Sequence, residues 1–269
     1  MIKKALLFTF LFPFVSFSGN DNFHIGARNS GMGNTGLTLA DVWAIRYNQA
    51  ALADVNQIAV GVSYESRFLT KSLGIQSFAV ALPTKRGTFG LNYTGFGDNL
   101  YRETKVGLGY GMALSEKFNI GIRLNYHSLR LGNNYGNANS LTFEIGFVAK
   151  PIKNLEIGFH LFNPNAVKLN DYQNETIPVV VNLGVSYKFS EKLRTNVELE
   201  KDIDQTASFK VGLEYLPLEY LYIRAGFTTN PTMPTIGFGV VKKQFNIDFS
   251  AAFHPSLGIT PALGMRYSF

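Results

Sequence analysis

The chain has 269 residues, of which 46% are hydrophobic and 16% are charged, with a formal net charge of +6 and no cysteine. An ordinary soluble domain has roughly 25% charged residues, so this composition disfavours a soluble enzyme. The lack of cysteine excludes disulfides and thiolate metal sites. Several of the lysines lie at the N-terminus or in predicted turns, so no nucleic-acid partner is expected.

The first eighteen residues have the pattern of an export signal. Lys3 and Lys4 precede an apolar run from Ala5 to Phe17, and Ser16 and Ser18 supply the small residues of a cleavage site at its end. The run is shorter than the about 20 residues that a transmembrane helix needs. Residues 1–18 are therefore predicted to be a signal peptide.

Residues 19–56 form a second segment, in which apolar and polar residues do not alternate. Gly31, Gly33 and Gly36 match the spacing of a dinucleotide-binding loop, but no buried strand precedes them. We therefore expect these glycines to let the backbone pass close to another surface.

From about residue 57 onward, apolar and polar residues alternate with a period of two. Phe118, Ile120 and Ile122 are apolar, for example, and Asn119 and Gly121 lie between them. Such alternation indicates strands with one apolar face and one polar face. Fourteen strands are predicted, at residues 57–67, 75–83, 87–95, 101–114, 117–131, 140–150, 155–162, 177–189, 192–201, 207–216, 220–228, 235–241, 244–253 and 258–269.

The links between the predicted strands alternate between short turns and longer loops. This alternation is typical of outer-membrane barrels, whose periplasmic turns are short and whose outer loops are longer. Every backbone polar group in a bilayer must be paired within the protein, which leaves helices or closed barrels. Residues 57–269 are therefore predicted to form an all-β, 14-stranded antiparallel transmembrane β-barrel in the outer membrane of a Gram-negative bacterium.

The last predicted strand ends in an aromatic residue. Gly264, Tyr267 and Phe269 resemble the C-terminal assembly signal that the outer-membrane insertion machinery reads. This resemblance implies that the insertion machinery binds the chain during biogenesis, and the apolar strand faces imply contact with outer-membrane lipids.

Part of the N-terminal segment resembles a known group of barrels. Eight of its residues are similar to the N-terminal hatch of FadL-like barrels, and most similar to the PorV/PorQ branch associated with type IX secretion: Arg28, Gly31, Met32, Gly33, Gly36, Asp41, Asn48 and Leu52. Family members usually have proline where this chain has Gln49. The resemblance implies that residues 19–56 fold inside the barrel lumen as a plug.

Charged residues occur at positions predicted to face the lumen. Examples are Arg123, Glu198, Arg224, Asp248 and Arg266. They could line a polar conduit, or they could pair with one another and with plug residues; the cost of burying an unpaired charge favours pairing. The four histidines lack the spacing of a metal site, and no catalytic motif is visible, so no catalytic residue, metal or cofactor is expected.

Three functions are compatible with a plugged barrel. The PorV/PorQ resemblance implies a non-enzymatic subunit of outer-membrane secretion or protein-assembly machinery, with other secretion or envelope proteins as partners. The wider FadL-like resemblance implies a channel for uptake of hydrophobic small molecules. A barrel enzyme is the third possibility. The first is the leading expectation, since the hatch motif lies on that branch.

Overall fold

The computed structural model describes residues 23–132, 136–170 and 175–269. The predicted signal peptide lies outside these ranges. Fourteen antiparallel strands close into one barrel, in which β1 pairs with both β2 and β14. The barrel strands, numbered β1 to β14 here, are Ala59–Ser66, Gly74–Pro83, Thr88–Gly97, Tyr101–Ser115, Phe118–Leu131, Gly136–Ile152, Leu155–Phe162, Val180–Ser190, Leu193–Asp202, Ser208–Leu218, Leu221–Thr229, Thr232–Lys242, Phe245–His254 and Gly258–Ser268. The predicted fold class is confirmed.

The two faces of each strand differ in burial as the alternation predicts. On β5, Ile122 and Leu124 are 59% and 54% exposed on the outside, whereas Arg123 and Asn125 are buried inside. The outer face thus presents an apolar band to lipid, and the inner face carries polar groups. In the described ranges, no helix is long and apolar enough to cross a bilayer.

The barrel wall is continuous along the middle of every strand pair. The register shifts all lie beside short turns: Ala113/Ser115, Ala149/Ile152, Lys188/Ser190 and Tyr215/Leu218. At the opposite end, the link between β7 and β8 contains a small hairpin, Lys168–Asn170 with Glu175–Thr176, which the sequence did not predict. The chain ends of the barrel, Ala59 and Ser268, pair at the turn end.

The segment that precedes β1 lies inside the barrel. It contains two short helices, Ala27–Ser30 and Ala44–Tyr47, and a 3-10 helix, Gln49–Asp54. It runs from the loop end, where the rings of Phe23 and Phe96 lie 4.7 Å apart, to the turn end. Trp43, Ile45 and Leu52 form an apolar core with small wall residues such as Ala79 and Ala81.

Glycines on the inner wall allow this close packing. A methyl group added at Gly212 would lie 2.5 Å from the carbonyl oxygen of Met32, and one added at Gly226 would also overlap the plug backbone. Other inward glycines serve a different purpose. Gly107 and Gly239 face the side chains of Arg123 and Arg224, so they make room for the barrel's own arginines.

Candidate functional site: the plug and the barrel mouth

Six charged side chains join the plug to the barrel in a closed ring of alternating cations and anions. The ring consists of Arg28, Glu214, Arg224, Asp248, Arg266 and Asp41, and each neighbouring pair is separated by 2.6 to 2.9 Å. Arg28 and Asp41 belong to the plug, and the other four belong to β10, β11, β13 and β14. Three positive and three negative groups therefore compensate one another.

The plug closes this ring at two points. Arg28 binds Glu214 with its Nε and Nη2 atoms, at 2.9 and 2.6 Å. Asp41 Oδ2 accepts from Arg28 Nη1 at 2.9 Å and from Arg266 Nη1 at 2.8 Å. Removing the plug would leave Glu214 without Arg28 and Arg266 without Asp41. Losing such a partner is costly when a charge is shielded from water. The lumen charges thus favour the plugged state.

A second cluster surrounds Glu144, whose side chain is fully buried. Its carboxylate is 3.2 Å from Arg123 Nη1 and 2.9 Å from His160 Nε2, and it accepts from Asn125 Nδ2 at 2.8 Å. The plug adds Gln49, whose Nε2 donates at 2.6 Å. Gln49 is therefore a wall contact.

Two further predicted residues hold the plug backbone. Glu198 accepts from the backbone N–H groups of Gly36 and Leu37 at 2.7 and 2.9 Å. Asn48 caps the 3-10 helix by accepting from Ala50 N, and its amide donates to the carbonyl of Phe147 on β6 at 3.0 Å. These bonds satisfy polar groups that would otherwise be buried without partners.

The rest of the hatch motif packs by shape. Met32 and Leu52 are completely buried, and Gly31 lies against Gly237 of β12. Gly33 has a φ of +65°, and a Cβ there would lie 2.7 Å from Phe227 N and Val211 O. Gly33 also donates its N–H to Thr235 Oγ1 at 2.9 Å.

At the loop end, the plug is held by His24. Lys210 Nζ lies 2.7 Å from His24 Nε2 and 2.9 Å from Glu200 Oε2. Burial lowers the pKa of the His24 imidazole, and the nearby Lys210 ammonium lowers it further. Glu200 Oε2 also lies 3.2 Å from His24 Nε2, so Lys210, His24 and Glu200 form one cluster at the loop end.

Two cavities open at this mouth, with volumes of about 310 and 530 Å³. They share His24, Arg67 and Glu200, so they form one vestibule above the plug. The smaller cavity has an apolar side, made by Phe68, Met233 and Leu257. One cavity beside His24, lined by plug and wall residues, has a volume of about 20 Å³.

Arg67 fixes the outer end of the plug. Its guanidinium lies 4.6 Å from the centre of the Phe23 ring, and its Nε is 3.5 Å from Glu65 Oε1. The neighbouring Phe68 has a φ of +53° and directs its ring to His254, at 5.7 Å. None of these mouth residues was among the predicted site residues.

The three residues of the C-terminal motif lie in two environments. Gly264 faces inward, with Ala27 of the plug next to it. The Tyr267 ring packs against Phe245 in a tilted arrangement at 4.7 Å and edge-to-face against Phe269 at 4.8 Å, and the Phe269 N–H donates to Ile58 O. A Cβ at Gly264 would lie 3.5 Å from Ala27, at ordinary van der Waals distance. The described ranges contain no group of three or more potential metal ligands.

The chain was compared with known proteins by sequence and by structure. No family model and no curated protein matches its sequence. The toluene transporter TbuX of Ralstonia pickettii superimposes with a TM-score of 0.72 at 13% identity, covering 91% of this chain and 98% of that chain. The toluene transporter TodX of Pseudomonas putida superimposes with a TM-score of 0.68 at 12% identity, covering 91% of this chain and 97% of that chain. A FadL homologue of Pseudomonas aeruginosa has a TM-score of 0.63 at 12% identity, covering 90% of this chain and 98% of that chain.

These comparisons correct the leading expectation for function. The similar structures are hydrocarbon transporters and channels, so the prediction of a secretion or protein-assembly subunit is wrong. Nothing among them supports the PorV/PorQ branch. The chain is an outer-membrane β-barrel with the fold of the FadL-type channels.

Proposed function

We propose that the protein is a gated, non-enzymatic channel that admits small apolar molecules through the outer membrane. The observation that carries this proposal is the mouth cavity of about 310 Å³ with one apolar side, placed directly above the plug. Ligand pockets for small molecules have volumes of roughly 300–1,000 Å³. The similar structures include a toluene transporter and a monoaromatic hydrocarbon channel, which supports an aromatic hydrocarbon as cargo.

The plug determines how such a channel works. An apolar molecule loses contact with water when it binds beside Phe68, Met233 and Leu257, which favours capture. The cavity beside His24, at about 20 Å³, is too small for such a molecule, so we expect passage to involve a shift of the plug. The charged ring and the Glu144 cluster favour return of the plug after passage. Their charges have all their partners only when the plug is docked, and an unpaired buried charge is costly.

Uptake of radiolabelled toluene tests this function. A Gram-negative host that lacks its own hydrocarbon channel should take up toluene faster when it produces this protein. Met233→Trp fills the apolar side of the mouth cavity and should slow uptake. Met265→Trp is the matched control, since Met265 faces lipid and is 41% exposed. Uptake equal to that of cells without the protein would contradict the proposal.

A general pore for polar solutes is the competing function. The cavity beside His24 has a volume of about 20 Å³, which is too small for a sugar. Liposomes that contain the protein should therefore not swell in sucrose. The proposed partners are then the cargo, outer-membrane lipids along the apolar band, and the insertion machinery at Gly264, Tyr267 and Phe269, with no nucleic acid.

A further inference from the structure

A polar groove of about 410 Å³ lies on the outside of the barrel, at the loop ends of β3 to β6. Its rim includes Arg102 of β4 and Arg130 of β5. Both arginines share strand parity with the exposed apolar residues Leu108 and Leu124. Because alternate side chains of a strand point to the same face, the groove faces the membrane and not the lumen.

The two arginines are direct register partners across β4 and β5. Both are exposed, and neither has an ion-pair partner within the described ranges. Like charges directly opposite each other in a sheet are destabilising. The pair thus differs from Arg224 and Arg266, each of which lies between two carboxylates. An anion between Arg102 and Arg130 would supply the missing countercharge.

The height of the groove matches the headgroup region of the outer leaflet. Tyr93 and Tyr126 form its lower edge, at the position of an aromatic girdle above the apolar band. Arg130 lies four residues beyond Tyr126, about 13 Å along the strand. This end of the barrel carries the longer loops, so it faces the cell exterior.

The remaining groove residues are hydrogen-bonding side chains without charge. Asn137 is the register partner of Arg130, and Asn139 is the partner of Ser128, which also pairs with Thr104. Amides and hydroxyls of this kind can both donate to and accept from sugar hydroxyls. On the β3 side, Gly97 pairs with Arg102 and has no side chain to cover it.

We propose that this groove binds the phosphorylated headgroup of an outer-leaflet glycolipid. The guanidinium groups of Arg102 and Arg130 hold a phosphate between them, because arginine matches phosphate geometry with two parallel hydrogen bonds. Asn137 and Asn139 bind the adjoining sugar. The acyl chains lie below, along the apolar band around Leu108 and Leu124.

Native mass spectrometry of the full barrel, released from a gentle detergent after incubation with lipid A, tests this proposal. Lipid A is a diphosphorylated glycolipid. The wild-type protein should retain it, and the double variant R102Q/R130Q should retain at least about tenfold less, since two charge-assisted hydrogen-bonding groups are lost. The variant K85Q/K117Q is the matched control, because it removes two exposed cations at the opposite rim and should retain lipid A like the wild type.

Lipid chemistry provides a second test that needs no variant. Dephosphorylated lipid A and phosphatidylglycerol should both be retained at least about tenfold less than lipid A by the wild-type protein, because the first lacks phosphate and the second lacks the sugars. Retention by R102Q/R130Q within twofold of wild type would overturn the proposal. Equal loss in K85Q/K117Q, or equal retention of either control lipid, would overturn it as well.

Discussion

Arg266, on the last strand, places its Nη1 2.8 Å from Oδ2 of Asp41 in the plug, 225 positions earlier in the chain. This contact joins the plug to the strand that closes the barrel on β1. The same carboxylate oxygen also contacts Arg28, so one side chain completes the charged ring on the plug side. Plug position and barrel closure are therefore linked through Asp41.

Neutralising Asp41 should loosen the plug. Asp41→Asn keeps an oxygen for the Trp43 N–H, which Asp41 Oδ1 binds at 2.8 Å, but it removes the charge that both arginines contact. Breaking a fully buried pair costs about 3–5 kcal/mol, and partial exposure of Asp41 lowers our expectation to about 2 kcal/mol. Single-channel recordings in planar bilayers should show more frequent openings. Asp98→Asn, in an exposed loop, should behave like the wild type. Identical traces for both variants would contradict the idea that the Asp41 charge holds the plug in place.

Removing residues 19–56 should open the lumen. A fourteen-strand barrel encloses more space than its own side chains fill, because eight strands already suffice for a packed interior. The barrel without residues 19–56 should show a larger conductance in planar bilayers and should let sucrose into liposomes. An unchanged trace would show that the plug does not occlude the lumen.

Substituting Gln49 tests its contact with Glu144 of the barrel wall. Asn48 has an extended backbone, with φ −163° and ψ 108°, which suits a residue before proline. Gln49→Pro should therefore keep the plug conformation but lose the hydrogen bond to Glu144, at a cost of about 1–2 kcal/mol. Hydrogen exchange in residues 49–54 should become faster. Exchange rates equal to those of the wild type would show that the Gln49–Glu144 bond contributes little.

Gly33 tests the close approach of the plug to the wall. Gly33→Ala adds a methyl group against Phe227 and Val211 at a positive φ, so the plug should lose its docked position. Gly258→Ala is the matched control, because Gly258 has a φ of +94° but open space around it. The control should cost only about 1–2 kcal/mol of backbone strain. Limited proteolysis should cut the plug faster in Gly33→Ala but not in Gly258→Ala. Equal cutting in both variants would mean that backbone strain, and not overlap with the wall, causes the faster cutting.

The sequence was sufficient to predict the barrel, the number of strands and the face that each side chain occupies. These properties are local, since the period of two and the turn residues act within a few positions. For example, Ile122 and Arg123 lie on opposite faces wherever β5 is placed. The pairing of lumen charges also followed from the cost of burying them, although the sequence did not show which charges pair.

Tertiary structure decided the charged ring, the mouth cavity and the outer groove. Each depends on how far neighbouring strands are shifted relative to each other, which no local pattern specifies. Arg102 faces Arg130 because the register shifts between Ala113 and Ser115, beside the turn that joins β4 to β5. If the strand pairing continued from Ser115–Phe118 without this shift, Leu131 would lie opposite Arg102. One irregularity at the turn end therefore determines which charges meet at the other end, and only the closed barrel shows it.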